Sequence, residues 1–260
     1  VLYGSDAMGG VLYIEPERYS TDFSVDYMGI YNSNYSGITN NLGLKGSSGD
    51  FSYVLRGNMT DNQNYSTPDG EVENTWLQEY DFQGGLKYQS EKYSSDLRLS
   101  VNISELGIPE GEEGHDDHEG HDDHEGHEGH YQELSHTMLT WKNNFDLGNN
   151  HDLEITLGRQ FNERKEFGGH GEEEGHEGHD DHEGHDDHGH GGSGAELDME
   201  LTTNTIDIAL TMPQSDNFNM ILGSNILSQE NKNFGFEELI PDADMNDFGV
   251  YGLGQITMEN

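Results

Sequence analysis

The chain has 260 residues, 52 Asp and Glu against 11 Lys and Arg, a formal net charge of −41 and no cysteine. Such a balance repels phosphate and excludes nucleic acid as a partner, and the missing thiols exclude a disulfide framework and Cys-based zinc or redox sites. No run of about 18 apolar residues occurs, so no transmembrane helix is expected; that limit does not touch β-barrels, whose spanning strands need only ~9–11 residues of alternating polarity.

Val1–Ile14 reads VLYGSDAMGGVLYI. Gly4, Gly9 and Gly10 permit positive φ or a close backbone approach, and Val11, Leu12, Tyr13 and Ile14 form a compact apolar run. Period-two alternation starts soon after Glu15–Arg18, at Phe23, Val25 and Tyr27. It recurs at Phe51, Tyr53, Leu55 and Met59, at Phe82, Leu86 and Tyr88, and at Leu97, Leu99, Val101 and Ile103. Leu153, Ile155 and Leu157 repeat it, as do Ile206, Ile208 and Leu210. One face of each strand is apolar and the other hydrophilic.

The connections alternate in length. Short polar turns are expected near Gly46–Asp50, Ser90–Lys92, Leu147–His151 and Pro213–Asn217, and long loops near Asp61–Thr75, Gly107–His130, Lys165–Glu196 and Glu230–Asn246. A soluble β-sandwich also alternates, with its apolar face inward. Strands of about 10–14 residues exceed the ~5–6 usual in soluble sheets, and short turns alternating with long loops are the habit of membrane barrels. The expected fold is therefore all-β, an antiparallel transmembrane β-barrel. Tyr27, Tyr31, Tyr35, Tyr53, Tyr80, Tyr88, Tyr93 and Trp141 fall near strand ends or on the apolar parity, where an aromatic girdle would sit. Arg159 breaks the apolar parity of its strand, so it is expected beyond the bilayer edge. Asn217–Ser228 carries apolar residues on both parities and leaves its register open.

Two acidic tracts, Glu110–His130 and His170–His190, hold thirteen of the 15 histidines. The candidate ligands of the first are His115, His118, His121, His124, His127 and His130, with Asp116, Asp117, Asp122 and Asp123 as candidate oxygen ligands. The second offers His170, His176, His179, His182, His185, His188 and His190, with Asp180, Asp181, Asp186 and Asp187. Neutral imidazole is the commonest metal ligand, and carboxylates complete such sites. Nitrogen and oxygen donors without thiolate suit Zn, Ni, Cu(II) or Co rather than Cu(I), Mg or Ca. The same repeat also arises as a solvated low-complexity spacer. The isolated His136 and His151 are weaker candidates. No nucleophile–base pair, phosphate loop or zinc-hydrolase motif marks an enzyme.

Leu2-Tyr3-Gly4-Ser5-Asp6-Ala7-Met8-Gly9-Gly10-Val11 resembles the closing motif of the plug domain in TonB-dependent outer-membrane receptors. The resemblance implies a barrel of about 22 strands filled by a plug. Residues 1–15 would then end the plug, and 16–260 would form about ten strands of the barrel's N-terminal part, with His/Asp/Glu-rich loops at 107–130 and 165–196. It implies a Gram-negative outer membrane, lipid around the barrel, and a TonB complex reached through an N-terminal segment missing here. It also implies an orientation, with short turns periplasmic and long loops outside. The His-rich loops resemble those of zinc-uptake members. Uptake of a divalent metal, zinc first, is the expected function. The alternatives are a receptor for a siderophore, cobalamin or peptide whose loops only buffer metal, and a surface or secreted chelator without transport.

Overall fold

The computed structural model describes residues 15–109, 129–168, 194–215, 218–236 and 239–256. Val1–Ile14 and nearly all of both His tracts lie outside the described residues. Among those described, ten strands form one antiparallel meander: β1 (Ser24–Asn32), β2 (Gly37–Ser48), β3 (Phe51–Asn62), β6 (Leu77–Gln89), β7 (Tyr93–Gly107), β8 (Tyr131–Gly148), β9 (His151–Phe167), β10 (Leu197–Ser215), β11 (Phe218–Asn233) and β12 (Ala243–Ile256). A two-residue ribbon, β4 (Ser66–Thr67) with β5 (Gly70–Glu71), sits in the loop between β3 and β6. Within the ten-stranded sheet each strand pairs with the sheet's next strand along the chain, and β1 and β12 are the edges.

Alternation becomes a two-faced wall through the register. Leu44, Leu55, Gly84, Leu99, Leu139 and Arg159 are successive cross-strand partners. One step along lies the parallel row Leu86, Leu97, Trp141, Leu157, Ile206, Ile226 and Phe248. These side chains share one face, and Leu55, Leu86, Leu97, Trp141, Ile206, Ile226 and Phe248 are all exposed. The described residues contain no fully buried large side chain; their buried apolar residues are Val54, Ala195 and Leu197 alone. A sandwich would bury its apolar face against a second sheet. Among the described residues that face has no protein partner, as a lipid-facing wall requires.

The stagger gives the tilt. Leu55 is the fifth residue of β3, and its row of cross-strand partners reaches, six strands later, Ser228, the eleventh residue of β11. One residue per strand, at ~3.4 Å rise and ~4.8 Å spacing, is a tilt of roughly 35°, within the barrel range.

Connections alternate as expected. Gly49–Asp50, Ser90–Lys92, Asn149–Asn150 and the connection between Ser215 and Phe218 belong to one end of the sheet; the longer connections leave from Asn62, Gly107, Phe167 and Asn233 at the other. Asn149 and Asn150 have φ of 54° and 60°, the positive values a two-residue type I′ hairpin needs. The strands run longer than alternation predicts, 18, 17, 19 and 16 residues for β8 to β11. Beyond the apolar band both faces turn polar, as at Glu163–Glu166, so period two vanishes while the backbone ladder continues. At this tilt the 18 residues of β8 climb on the order of 45 Å, against an apolar band of about 25 Å.

Phe51, Tyr88, Tyr93 and Phe145 line up on the apolar face at the short-turn end, with successive ring centroids 5.1, 6.2 and 5.0 Å apart. Tyr88 and Tyr93 fulfil the girdle expectation, and Phe51 and Phe145 complete it. Tyr27, Tyr80 and Trp141 stand on the same apolar face further along their strands. The register of β11 is resolved: Met220, Leu222 and Ile226 pair with Met212, Leu210 and Ile206 on the apolar face, and Ile221 and Leu227 point the other way.

Candidate functional site

The roots of the two His tracts are built by four consecutive strands. The first tract leaves β7 at Gly107 and returns at Tyr131 of β8; the second leaves β9 at Phe167 and returns at Leu197 of β10. Gly107 pairs with Tyr131 and Tyr131 with Phe167, while Leu197 pairs with Glu166. All four roots therefore fall within three strand spacings, roughly 15 Å.

Side chains hold these roots closed. Asn74, at φ 56°, donates through Nδ2 to the Ile108 and His130 carbonyls, and its Oδ1 accepts from Trp76 Nε1 at 3.1 Å. The Tyr131 and Phe167 rings stack at 4.6 Å, with Trp76 6.4 Å from Tyr131. At the second root, Glu196 N–H donates to the Glu166 carbonyl at 2.9 Å and Phe234 N–H to that of Asp198 at 2.8 Å. Ala195 and Leu197 are buried there.

Of the thirteen tract histidines only His130 is described, and its backbone belongs to the first root. His115, His118, His121, His124, His127, His170, His176, His179, His182, His185, His188 and His190 lie outside the described residues, as do all the candidate aspartates. Among the described residues no three His, Asp or Glu side chains come together as a metal site. His151 is the first residue of β9, beside the β8–β9 turn, its Nδ1–H donating to the Asn149 carbonyl at 3.0 Å. His136 stands far from it, on the polar face of β8 near the long-loop end, in the partner row Asn41, Asn58, Asp81, Asn102, His136 and Asn162. In that row Asp81 accepts from Asn58 at 3.1 Å and from Asn102 at 2.7 Å.

Lower on the polar face the segment before β1 is fastened across four strands. Glu17 receives Lys45 Nζ and Arg56 Nε, each at 2.8 Å, and Arg56 also pairs with Asp26 at 2.9 Å. Arg98 donates to the Glu17 carbonyl at 2.9 Å and lies 4.5 Å over the Tyr19 ring. Tyr19 Oη donates to Asp96 at 2.7 Å, and Ser47 Oγ to the Ser20 carbonyl at 2.6 Å. Gly85 makes room: a Cβ there would meet Tyr19 Oη at 2.8 Å. The hydrogen bond from Arg56, helped by Lys45 and opposed by burial, holds the Glu17 carboxyl at about 2. Burial, then the bond to Asp96, raises the Tyr19 phenol above its ordinary range.

No family model and no curated protein matches the chain. Among solved structures it resembles the FrpB iron transporter from Neisseria meningitidis (F3-3 variant), with a TM-score of 0.58 and 14% identity over 82% of this chain and 32% of that one. The fold is a section of an antiparallel transmembrane β-barrel like that of this transporter. The chain spans about a third of the transporter it matches. In such a barrel the apolar face meets lipid and the polar face the lumen, so the segment at 15–20 is tied to the lumen wall.

Alternation identifies the wall but misses this fastening. Its one sequence signal is that Arg56 and Arg98 stand on the polar parity; of their acidic partners Asp26 and Asp96 lie in strands, and Glu17 alone comes from outside the strand pattern. Because Glu17 is held below its ordinary value, its contribution to docking is present above about 4.5 and is lost as pH falls toward 2. A cysteine at Ser20 in the intact protein is expected to become easier to label across that acid window. In Glu17→Gln it should label readily at every pH. Equal, pH-independent protection in both proteins would remove the ion pair from the docking.

Proposed function

We propose that this chain is a wall section of an outer-membrane, TonB-dependent receptor that takes up a divalent transition metal, zinc first, and that its two His tracts gather the metal outside the barrel. One observation carries the reading: two copies of a His/Asp/Glu repeat are rooted on four consecutive strands at the long-loop end, roughly 15 Å across. Their acid raises the local cation concentration, and imidazole with carboxylate selects Zn, Ni, Cu(II) or Co. Many weak sites exchange quickly, so captured metal is handed on to a plug that TonB opens. The LYGSDAMGG segment supports the plug, and the polar lumen wall with its Asp81–His136 row supports passage of a hydrated ion.

The matched structure is an iron transporter, which favours an iron-bearing ligand as the second reading. In that case the tracts would buffer metal while the barrel takes an iron chelate. Radiolabelled zinc and ferric-chelate uptake in cells expressing the full receptor separate the two: zinc uptake that depends on the receptor and on the tracts supports the proposal, and receptor-dependent iron uptake without zinc uptake overturns it.

Orientation has its own test. An epitope tag at Gly120 or Gly178 is expected to bind antibody on intact cells, while one in the Gly49–Asp50 or Asn149–Asn150 turn binds only after permeabilisation. Labelling of the turns on intact cells would invert the barrel and place the tracts in the periplasm.

A further inference from the structure

On β9 to β12 the continuous apolar band gives way to a polar row, beyond which Phe161 is the next apolar residue on β9. The band's last apolar row is Leu157, Ile206, Ile226 and Phe248; two residues further toward the long loops stand their counterparts Arg159, Asn204, Ser228 and Asn246. All four polar residues are exposed on the lipid-facing side. Arg159 makes no ion pair or side-chain hydrogen bond among the described residues. The other lipid-facing cations of these strands are neutralised, Lys165 by Glu163 at 2.8 Å and Lys232 by Glu230 at 2.7 Å. The row also contains no acid, in a chain with 52 of them; carboxylates return on this face at Glu230 and Asp244 in the next row toward the long loops, and at Glu163 and Glu200 in the row after it.

We propose that this two-tier stripe binds the phosphate of an anionic membrane lipid in the leaflet on the long-loop side. The Arg159 fork supplies paired donors of the geometry that phosphate oxygens accept. The Asn204 and Asn246 amides and the Ser228 hydroxyl add neutral donors beside it. The apolar row beneath holds the first methylenes of the acyl chains. A long cationic side chain at the band edge extends to the headgroup level in any case; what distinguishes this place is the unpaired charge, the donor row, and a row without an acid in which Arg159 stands on β9, the strand furthest from Glu230 and Asp244. The function is local anchoring of one lipid on an otherwise strongly anionic protein.

The test uses the full-length receptor, delipidated in neutral detergent and titrated with phosphatidylglycerol, with bound lipid read by native mass spectrometry. Arg159→Gln is expected to lower the affinity of one bound lipid by about tenfold, the scale of a charged hydrogen-bonding partner. Arg159→Lys should retain part of it, Asn204→Ala should weaken it a few-fold, and Lys87→Gln, on the lumen face, should leave it unchanged. Heat-dependent electrophoretic mobility reports folding of each variant. If Arg159→Gln does not fold, the comparison of Arg159→Lys and Asn204→Ala with the parent decides. Equal lipid retention by parent and folded variants overturns the site. Displacement of the lipid by equimolar inorganic phosphate would overturn the lipid assignment, because the apolar row would then contribute nothing.

Discussion

A lysine in place of Leu97 is expected to cost the folded receptor about 2–4 kcal/mol in lipid vesicles, the price of a cation near the bilayer midplane. Leu97 is the fifth residue of β7, 41% exposed on the apolar face between Leu86 and Trp141. The same change at Ser135, on the same face but beyond the band, should cost only about 0–1 kcal/mol. At Ser100, on the lumen face, it should stay within about 0.5 kcal/mol, because the wall already carries Arg98 there. Leu97→Trp separates lipid from a protein core. Lipid accommodates the larger ring at little cost, whereas a packed core would lose roughly 1–3 kcal/mol. Urea titration of the receptor refolded into vesicles measures all four. A large penalty at Leu97→Trp, or equal penalties at Leu97 and Ser135, would contradict a lipid-facing wall.

The second large effect concerns supply of metal. Replacing the thirteen tract histidines by Asn is expected to slow zinc uptake by about tenfold or more when zinc is scarce, since a charged, ligand-rich mouth raises local ion concentration by that order. The difference should disappear when zinc is plentiful. Removing one tract should leave an intermediate rate, because the two roots are neighbours and either tract feeds the same opening. Uptake unchanged at scarce zinc would make the tracts spacers. Uptake reduced equally at all zinc concentrations would place the defect in barrel assembly instead.

The wall was legible in the sequence because one physical rule governs it: strands such as Phe51–Met59 and Leu97–Ile103 must present apolar groups to one side and polar groups to the other. The parity of turns and loops followed from the same rule. Strand ends were not legible at β8 to β11, since outside the band nothing forces alternation; Gln132–Glu133 and Glu163–Glu166 are polar on both faces and still pair. Arg159 read as an exception to parity and proved to mark the band's edge, a place defined only by its neighbours on other strands. The fastening of Glu17 and Tyr19 to Arg56, Asp96 and Arg98 was invisible for the same reason: it joins residues 39 and 77 positions apart. The tracts show the reverse case. Their chemistry is plain in composition, while the closeness of their roots needed the register Tyr131 to Phe167.

The central claim is that the tracts bind metal, and calorimetric titration of Zn²⁺ into the intact receptor, and into peptides spanning 110–130 and 170–190, tests it most directly. Saturable binding at neutral pH is expected in all three. It should weaken as pH falls through the imidazole range, near ~6.5, because protons compete for the ligand nitrogens. Histidine-to-Asn replacement should abolish most of it, and replacing the acids by their amides should weaken it less. Absence of zinc, nickel and copper binding at neutral pH would contradict the account, leaving a membrane barrel whose His-rich loops are spacers.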